Sequence, residues 1–263
     1  MSVSTTLSPP RHTHADTIAA TPPFAFAQAL RFLDGFTPTH GEQAIAPDIL
    51  TKAVFVAGRP LLFQVRSSGT TDAPALAYTL HADDPLDARL AQAASERIAF
   101  FLGVADDLRP FYAIGRADAD FAPLIERLYG YHQVTFLTPF ENACWAVLSQ
   151  RTPLAQARHV KEELTRRYGA TLALDGVAYP AFPEADRLAA ADPAAVLAIV
   201  RNERRAFYLR AVAAAFVDAD ETWLRTAPYD EVEGWLRDQG YRRVVSHLHH
   251  AARPRAHGAT PRR

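Results

Sequence analysis

The sequence predicts an α+β fold, a small antiparallel sheet domain followed by a mainly α-helical domain. Two observations predict it. Residues 49–80 hold three short strand-like runs, the second and third with two-residue alternation, separated by Gly and Ser turns. From Asp84 onward the apolar spacing changes to the 3.6-residue period of helices, punctuated by Gly103, Gly130 and Gly169.

Taken in order, residues 1–22 are polar and rich in Ser, Thr and Pro, with Arg11, His12 and His14. They lack the apolar core of a secretory signal and read as a disordered leader. The sheet domain is expected over 23–105. It opens with an amphipathic helix over 24–34 (Phe24, Phe26, Ala29, Leu30, Phe32, Leu33). Strands are expected from Ile49 to Val56, from Pro60 to Val65 after the turn at Gly58, and from Ala75 to Leu80 after Ser67-Ser68-Gly69. Leu61/Phe63/Val65 and Leu76/Tyr78/Leu80 alternate as in a half-buried sheet. A helix from Pro85 to Leu102 ends at Gly103.

The helical domain is expected over 106–240. Asp118 to Leu128 gives one helix. Thr138-Pro139-Phe140-Glu141 opens another, with Thr138 as N-cap, Pro139 at the first helical position and Glu141 completing a capping box. It runs to Ser149 and is apolar throughout. Pro153 starts the next, which stops at Gly169. Further helices are expected over 183–190, 192–200, 203–217 and 229–238.

Composition bounds the function. The longest apolar runs, such as Ala194 to Val200, fall far short of the roughly 18 residues of a membrane span. A single Cys144 excludes an internal disulfide and fits a reducing cytoplasm. Net charge is −1, so the whole chain gives no polyanion signal. Its distribution is uneven: residues 241–263 contain six Arg and four His but no acid, leaving 22 basic against 29 acidic residues elsewhere. Only Lys52 and Lys161 are lysines among the 28 basic residues.

Gly130, Phe136, Thr138-Pro139-Phe140-Glu141, Trp145-Ala146, Leu148 and Gln150 together resemble the "G…F-x-TPFE-x-x-x-WA-x-L-x-Q" entry to the helical core of the helix-hairpin-helix DNA glycosylases, alkylbase (3-methyladenine II) branch. Downstream, Arg158, Leu164, Tyr168-Gly169, Phe182-Pro183 and Arg205-Ala206-Phe207-Tyr208-Leu209 fall where that family has similar residues, and Leu50-Thr51-Lys52-Ala53 looks like part of its small sheet domain. The resemblance covers roughly 24–240. It implies removal of an alkylated purine from double-stranded DNA, by flipping the base and hydrolysing its N-glycosidic bond, with no metal or redox cofactor. The resemblance further implies a monomer acting in the cytoplasm on the nucleoid. Flipping costs a few kcal/mol of stacking and pairing, and something must fill the hole.

In the family that wedge lies in the turn after the "WA-x-L-x-Q" helix, here Gln150 and Arg151. An Arg can stack between bases and meet phosphates; alternatively the two residues only cap and solvate a helix end. Tyr129, Tyr131 and His132 could line a base pocket or pack a domain seam. Arg201, Arg204 and Arg205 near Asn202 are candidate phosphate contacts or an exposed basic turn. Trp145 and Cys144, within an apolar run, read as core. The group His247, His249, His250 and His257 has no Cys or carboxylate beside it, and no metal site is expected.

The family's hairpin, "(K/R)-G-I-G-x-W-(S/T)-A", and the "RGLGR" turn and catalytic Asp beyond it should follow the helix at 229–238. Leu236-Arg237-Asp238-Gln239-Gly240 arrives on cue; Tyr241-Arg242-Arg243-Val244 then departs from the pattern. One permitted set of codons for Gly240 to Arg263, read one base later, translates as GIGEWSATFIMLRGLGRMERLPA. Residues 241–263 are therefore expected to be an aberrant, out-of-frame tail. The helical domain is then incomplete, no residue takes the catalytic role, and the chain as written is expected to be inactive. Two other readings stand beside this one: a non-catalytic protein that binds DNA or DNA damage, and a helical domain used for protein interaction.

Overall fold

The computed structural model describes residues 10–238. Five antiparallel strands form one sheet: β1 (His12–Ala19), β2 (Gln43–Ala46), β3 (Ile49–Val56), β4 (Arg59–Ser67) and β5 (Ala75–Ala82), in the order β1-β5-β4-β3-β2. Helices α1 (Phe26–Gly35) and α2 (Ala88–Leu102) cover one face. Leu50, Leu61, Phe63, Val65, Leu76 and Leu80 pack there against Leu33, Ile98 and Phe101.

Two expectations are corrected here. The leader expected over 1–22 is, from His12 to Ala19, an edge strand paired with β5 along its whole length. Its only buried residue is Ile18, so backbone hydrogen bonds hold it in place and no apolar alternation marks it. The sheet is also more than half-buried. Strand β5 alternates cleanly, but every residue of β3 after Ile49 is buried. Its second face is closed by a hairpin of β6 (Ala170–Leu174) and β7 (Val177–Ala181): Leu172, Tyr179 and Ala181 sit on Ala53, Phe55 and Leu62. Asp175-Gly176 turns that hairpin with both φ positive, +51° and +77°, as a two-residue turn requires.

Between the sheet and the main bundle lie the short helices α3 (Arg109–Arg116) and α4 (Ala122–Arg127), joined around Leu108, Tyr112 and Ile125. The bundle contains α5 (Pro139–Ser149), α6 (Leu154–Tyr168), α7 (Ala185–Ala189), α8 (Pro193–Val200), α9 (Glu203–Val217), α10 (Glu221–Thr226) and α11 (Tyr229–Asp238). Helix α5 is its axis: every residue from Phe140 to Leu148 is buried, Cys144 and Trp145 included. A helix apolar all round must be enclosed. Thr138 caps it as expected, its Oγ1 accepting from the Glu141 amide at 3.0 Å. The Glu141 side chain, expected to close a capping box, also turns inward to Lys161, 2.8 Å away. Among the described residues no helix is long and apolar enough to cross a membrane. Gly240 and the tail 241–263 lie outside the described residues.

Candidate nucleic-acid interface

Where α5 ends, Gln150 leaves the helical conformation and Arg151 follows at φ +50°, exposed. A left-handed backbone costs a non-glycine residue about 1–2 kcal/mol. Two other left-handed residues, Ala57 and Asp175, each precede a glycine in a hairpin turn; the remaining one is Arg201, which ends α8 at φ +52°. Both arginines therefore sit at the tips of tight turns between helices.

The two turns are tied together. Arg205, at the start of α9, donates from Nη2 to Thr152 Oγ1 at 2.6 Å. Asn202 caps α9, its Oδ1 accepting from the Arg205 amide at 2.9 Å. The resulting edge carries Arg151, Arg201 and Arg204, all exposed, with Glu203 among them. Leu154 and Phe207, 54% and 67% exposed, are apolar groups of the same helix starts. Cations beside apolar and planar side chains suit a duplex, whose phosphates meet the charges while opened bases meet the flat groups. Arg205 itself is half-buried and used within the fold.

The aromatic candidates belong elsewhere. His132 is 1% exposed; Nδ1 lies 2.6 Å from the Gly103 carbonyl, Nε2 lies 2.8 Å from the Pro23 carbonyl, and the ring meets Phe24 edge-on. Tyr129 donates to Asp72 Oδ1 at 2.7 Å and packs on Tyr112, while Tyr131 lies 6.1 Å from Phe32. All three join the 128–133 segment to the sheet domain, in the manner of seam packing.

Sequence reasoning missed a buried charge cluster. Glu42, just before β2, pairs with Lys52 on β3 at 2.8 Å and with Lys161 on α6. Lys161 also pairs with Glu141 and donates to the Pro38 carbonyl at 3.2 Å. Burial alone would raise the Glu42 carboxyl, but the two ammonium groups outweigh it and hold the group below its ordinary range. Burial likewise would lower Lys161, and the two carboxylates reverse it, pushing the amine up. The signal was present in the sequence, since these are its only lysines.

Beside the cluster lies a cavity of about 260 Å³, lined among others by Lys52, Arg97, Phe140, Phe182, Glu184 and Glu221. It opens at the first turn of α5. The Gln150 turn is at the other end, about 16 Å away at 1.5 Å per residue. The cavity and the arginine edge are thus separate places. Arg97 reaches across from α2 to Glu221 on α10, with Glu184 at 3.7 Å, and so fastens the sheet domain to the bundle. Among the described residues no group of three or more His, Cys, Asp or Glu is placed to hold a metal ion.

Comparison with known proteins agrees with this architecture. The family model described as "HhH-GPD superfamily base excision DNA repair protein" matches residues 144–260, extending beyond Gly240 into the segment whose frame the sequence reading questions. A DNA-3-methyladenine glycosylase of Bacillus subtilis is 29% identical over 108 residues, covering 41% of this chain; the chain spans only 36% of that protein's length. A 3-methyladenine DNA-glycosylase from Archaeoglobus fulgidus superposes with a TM-score of 0.69 at 15% identity, covering 88% of this chain and 77% of that one. For the 8-oxoguanine glycosylase/lyase of Clostridium acetobutylicum the TM-score is 0.60 at 12% identity, over 92% and 78% of the two chains. At such identities the solved structures establish the fold. Residues 144–260 are thus similar to the HhH-GPD superfamily of base excision DNA repair proteins, and the fold is that of the glycosylases above.

Proposed function

We propose that this chain descends from a monofunctional DNA glycosylase that hydrolyses the bond between deoxyribose and an alkylated purine in double-stranded DNA. The observation that carries this reading is the Gln150–Arg151 turn. It is an exposed arginine held in a left-handed conformation at the end of the buried motif helix, beside a second arginine turn. The match to a 3-methyladenine glycosylase supports the substrate class. Lysine usage supports hydrolysis without a lyase step. Schiff-base chemistry needs an accessible neutral amine, whereas both lysines are buried in ion pairs, and two carboxylates hold Lys161 protonated against the opposing effect of burial.

In the reaction, Arg151 fills the stack while the damaged base turns out, and the arginine edge holds phosphates on either side. Water then adds to the sugar C1′ as the base leaves. Developing positive charge on the sugar needs a carboxylate, which the family supplies beyond its hairpin. In the reading frame given, the residues after Gly240 do not carry that hairpin, so this chain binds DNA without releasing a base. A natural damage-binding protein with a replaced tail would behave alike, and sequencing the gene across the Gly240 codon separates the two. The setting is the cytoplasm, with a monomer working on the nucleoid.

Binding to a duplex with a tetrahydrofuran abasic site tests the wedge. Stacking on a base contributes roughly 1–3 kcal/mol, so Arg151→Ala should weaken binding about tenfold or more. Affinity should also fall steeply with salt. Salt-independent binding, or an Arg151→Ala variant equal to wild type, would reject the reading.

A further inference from the structure

Arg205 stands in a basic turn, yet its guanidinium is spent on another turn. Nη2 donates to Thr152 Oγ1 at 2.6 Å and approaches the Gln150 carbonyl at 3.5 Å. The Thr152 hydroxyl donates a hydrogen bond to that carbonyl at 3.0 Å, and the Thr152 amide donates to the Ser149 carbonyl at 3.3 Å. Both neighbours of Arg151 are therefore pinned, and Arg151 is left at φ +50° between them. The anchor is itself fixed, because the Arg205 amide is bonded to the Asn202 cap. Arg204, one residue earlier, is exposed and lies 5.7 Å from the Tyr208 ring centre.

A left-handed arginine does not hold its shape unaided. Without the brace the turn relaxes toward negative φ, and the Arg151 side chain swings away from the direction the turn now gives it. We infer that Arg205 is a positioning residue: acting through Thr152, it presets the Gln150–Arg151 turn in the shape in which Arg151 enters the duplex. This rests on the proposed reading of that turn as the wedge. It separates two neighbouring arginines by role, with Arg204 meeting phosphate and Arg205 shaping the wedge without touching DNA.

The test uses the full chain with two duplexes of one sequence, one intact and one carrying a tetrahydrofuran site flanked by 2-aminopurine. Arg205→Met should reduce the preference for the abasic duplex about tenfold, the scale of one lost charge-assisted hydrogen bond. The 2-aminopurine signal should fall with it. Affinity for intact duplex and its salt slope should stay unchanged. Thr152→Val should match Arg205→Met, the double variant should be no worse than either, and Thr152→Ser should retain the preference. Arg204→Met should reduce the salt slope and leave the preference.

If Arg205→Met lowers the salt slope as Arg204→Met does, Arg205 is a direct phosphate contact and the inference is wrong. It is equally wrong if Arg151→Ala abolishes the preference while Arg205→Met retains it. If Arg151→Ala has no effect, the wedge reading fails, and the brace is judged in the free protein. There Arg205→Met should speed amide exchange at Thr152 and Arg204→Met should not. Unchanged exchange at Thr152 rejects the brace.

Discussion

Glu42→Gln is expected to destabilise the fold by about 3–5 kcal/mol, the cost of leaving buried charges without their partner. Glu42 is the shared anion of both lysines. Without it Lys52 keeps only Gln43 Oε1, at 3.2 Å, and Lys161 keeps Glu141 and the Pro38 carbonyl. Lys52 and Lys161 are 2% and 1% exposed, so water cannot replace the missing carboxylate. The change falls on the seam, because Glu42 and Lys52 belong to the sheet domain and Lys161 to the bundle. As a control, Glu163→Gln removes an exposed pair with Arg166 and should leave the denaturant midpoint nearly unchanged. Replacing Glu42, Lys52 and Lys161 together by Leu, Met and Met, with Glu141→Gln so that no buried carboxylate is left unpaired, should recover much of the loss, since a well-packed neutral cluster often equals a buried ion pair. Denaturant midpoints read all three.

The same cluster sets a pH dependence. The folded state holds the Glu42 carboxyl below its unfolded value near 4.5, so its contribution is complete at neutral pH and is lost as acid carries the pH down through that range. The Lys161 amine lies above its unfolded value near 10.5, so its contribution persists at neutral pH and is lost in alkali above that value. Wild type should therefore lose stability at both extremes, and the variant with the neutral cluster should show the flatter profile.

The second large effect is expected at Gly130. Its φ is +77°, and a Cβ built there would stand 2.8 Å from the Ala25 amide nitrogen and 2.9 Å from the Ala25 Cβ. Thr71 Cγ2, also 2.8 Å away, could rotate aside, but the Ala25 backbone nitrogen and the Cβ fixed to that backbone cannot. Gly130 also donates to the Tyr112 hydroxyl at 2.8 Å and accepts from the Ala25 amide at 2.7 Å, joining α1 to the α3–α4 lobe. Gly130→Ala should cost about 3 kcal/mol from strain and overpacking together. That lowers Tm by roughly 10 °C in a protein of this size. Gly234→Ala, where a Cβ meets nothing within 4 Å, should be neutral or slightly stabilising. Thermal unfolding of the two variants side by side checks the contrast.

What the sequence made legible follows from where each signal lives. Helix α5 was readable because its cap, its proline and its unbroken apolar run lie within one short segment, Thr138 to Ser149. Strands β4 and β5 were readable from alternation, and β3 as a short strand-like run before the turn at Gly58. Strand β1 was not, since HTHADTIA buries only Ile18. The β6–β7 hairpin left one local clue, Asp175-Gly176, between runs too short and too Ala-rich to stand out. The Glu42–Lys52–Lys161–Glu141 cluster gathers residues far apart in the chain, which no local pattern shows. At the candidate interface, Gln150 and Arg151 came from a motif; Arg151 is exposed and Gln150 half-buried. His132 looked like a pocket residue because a ring just after two tyrosines gives no sign of the two carbonyls that enclose it. Arg205 looked like one more surface cation, because its partner Thr152 is brought to it only by the packing of α9 on α5.

We propose that this chain descends from a base-excision glycosylase and that its chemistry was lost with the frame at Gly240. Release of 3-methyladenine from methylated duplex DNA tests it most directly, comparing the chain as written with the product of the gene read one base later from codon 240. We predict salt-sensitive DNA binding by both and base release only by the frame-corrected protein. Base release by the chain as written, or its absence from a well-folded frame-corrected protein, would contradict the account.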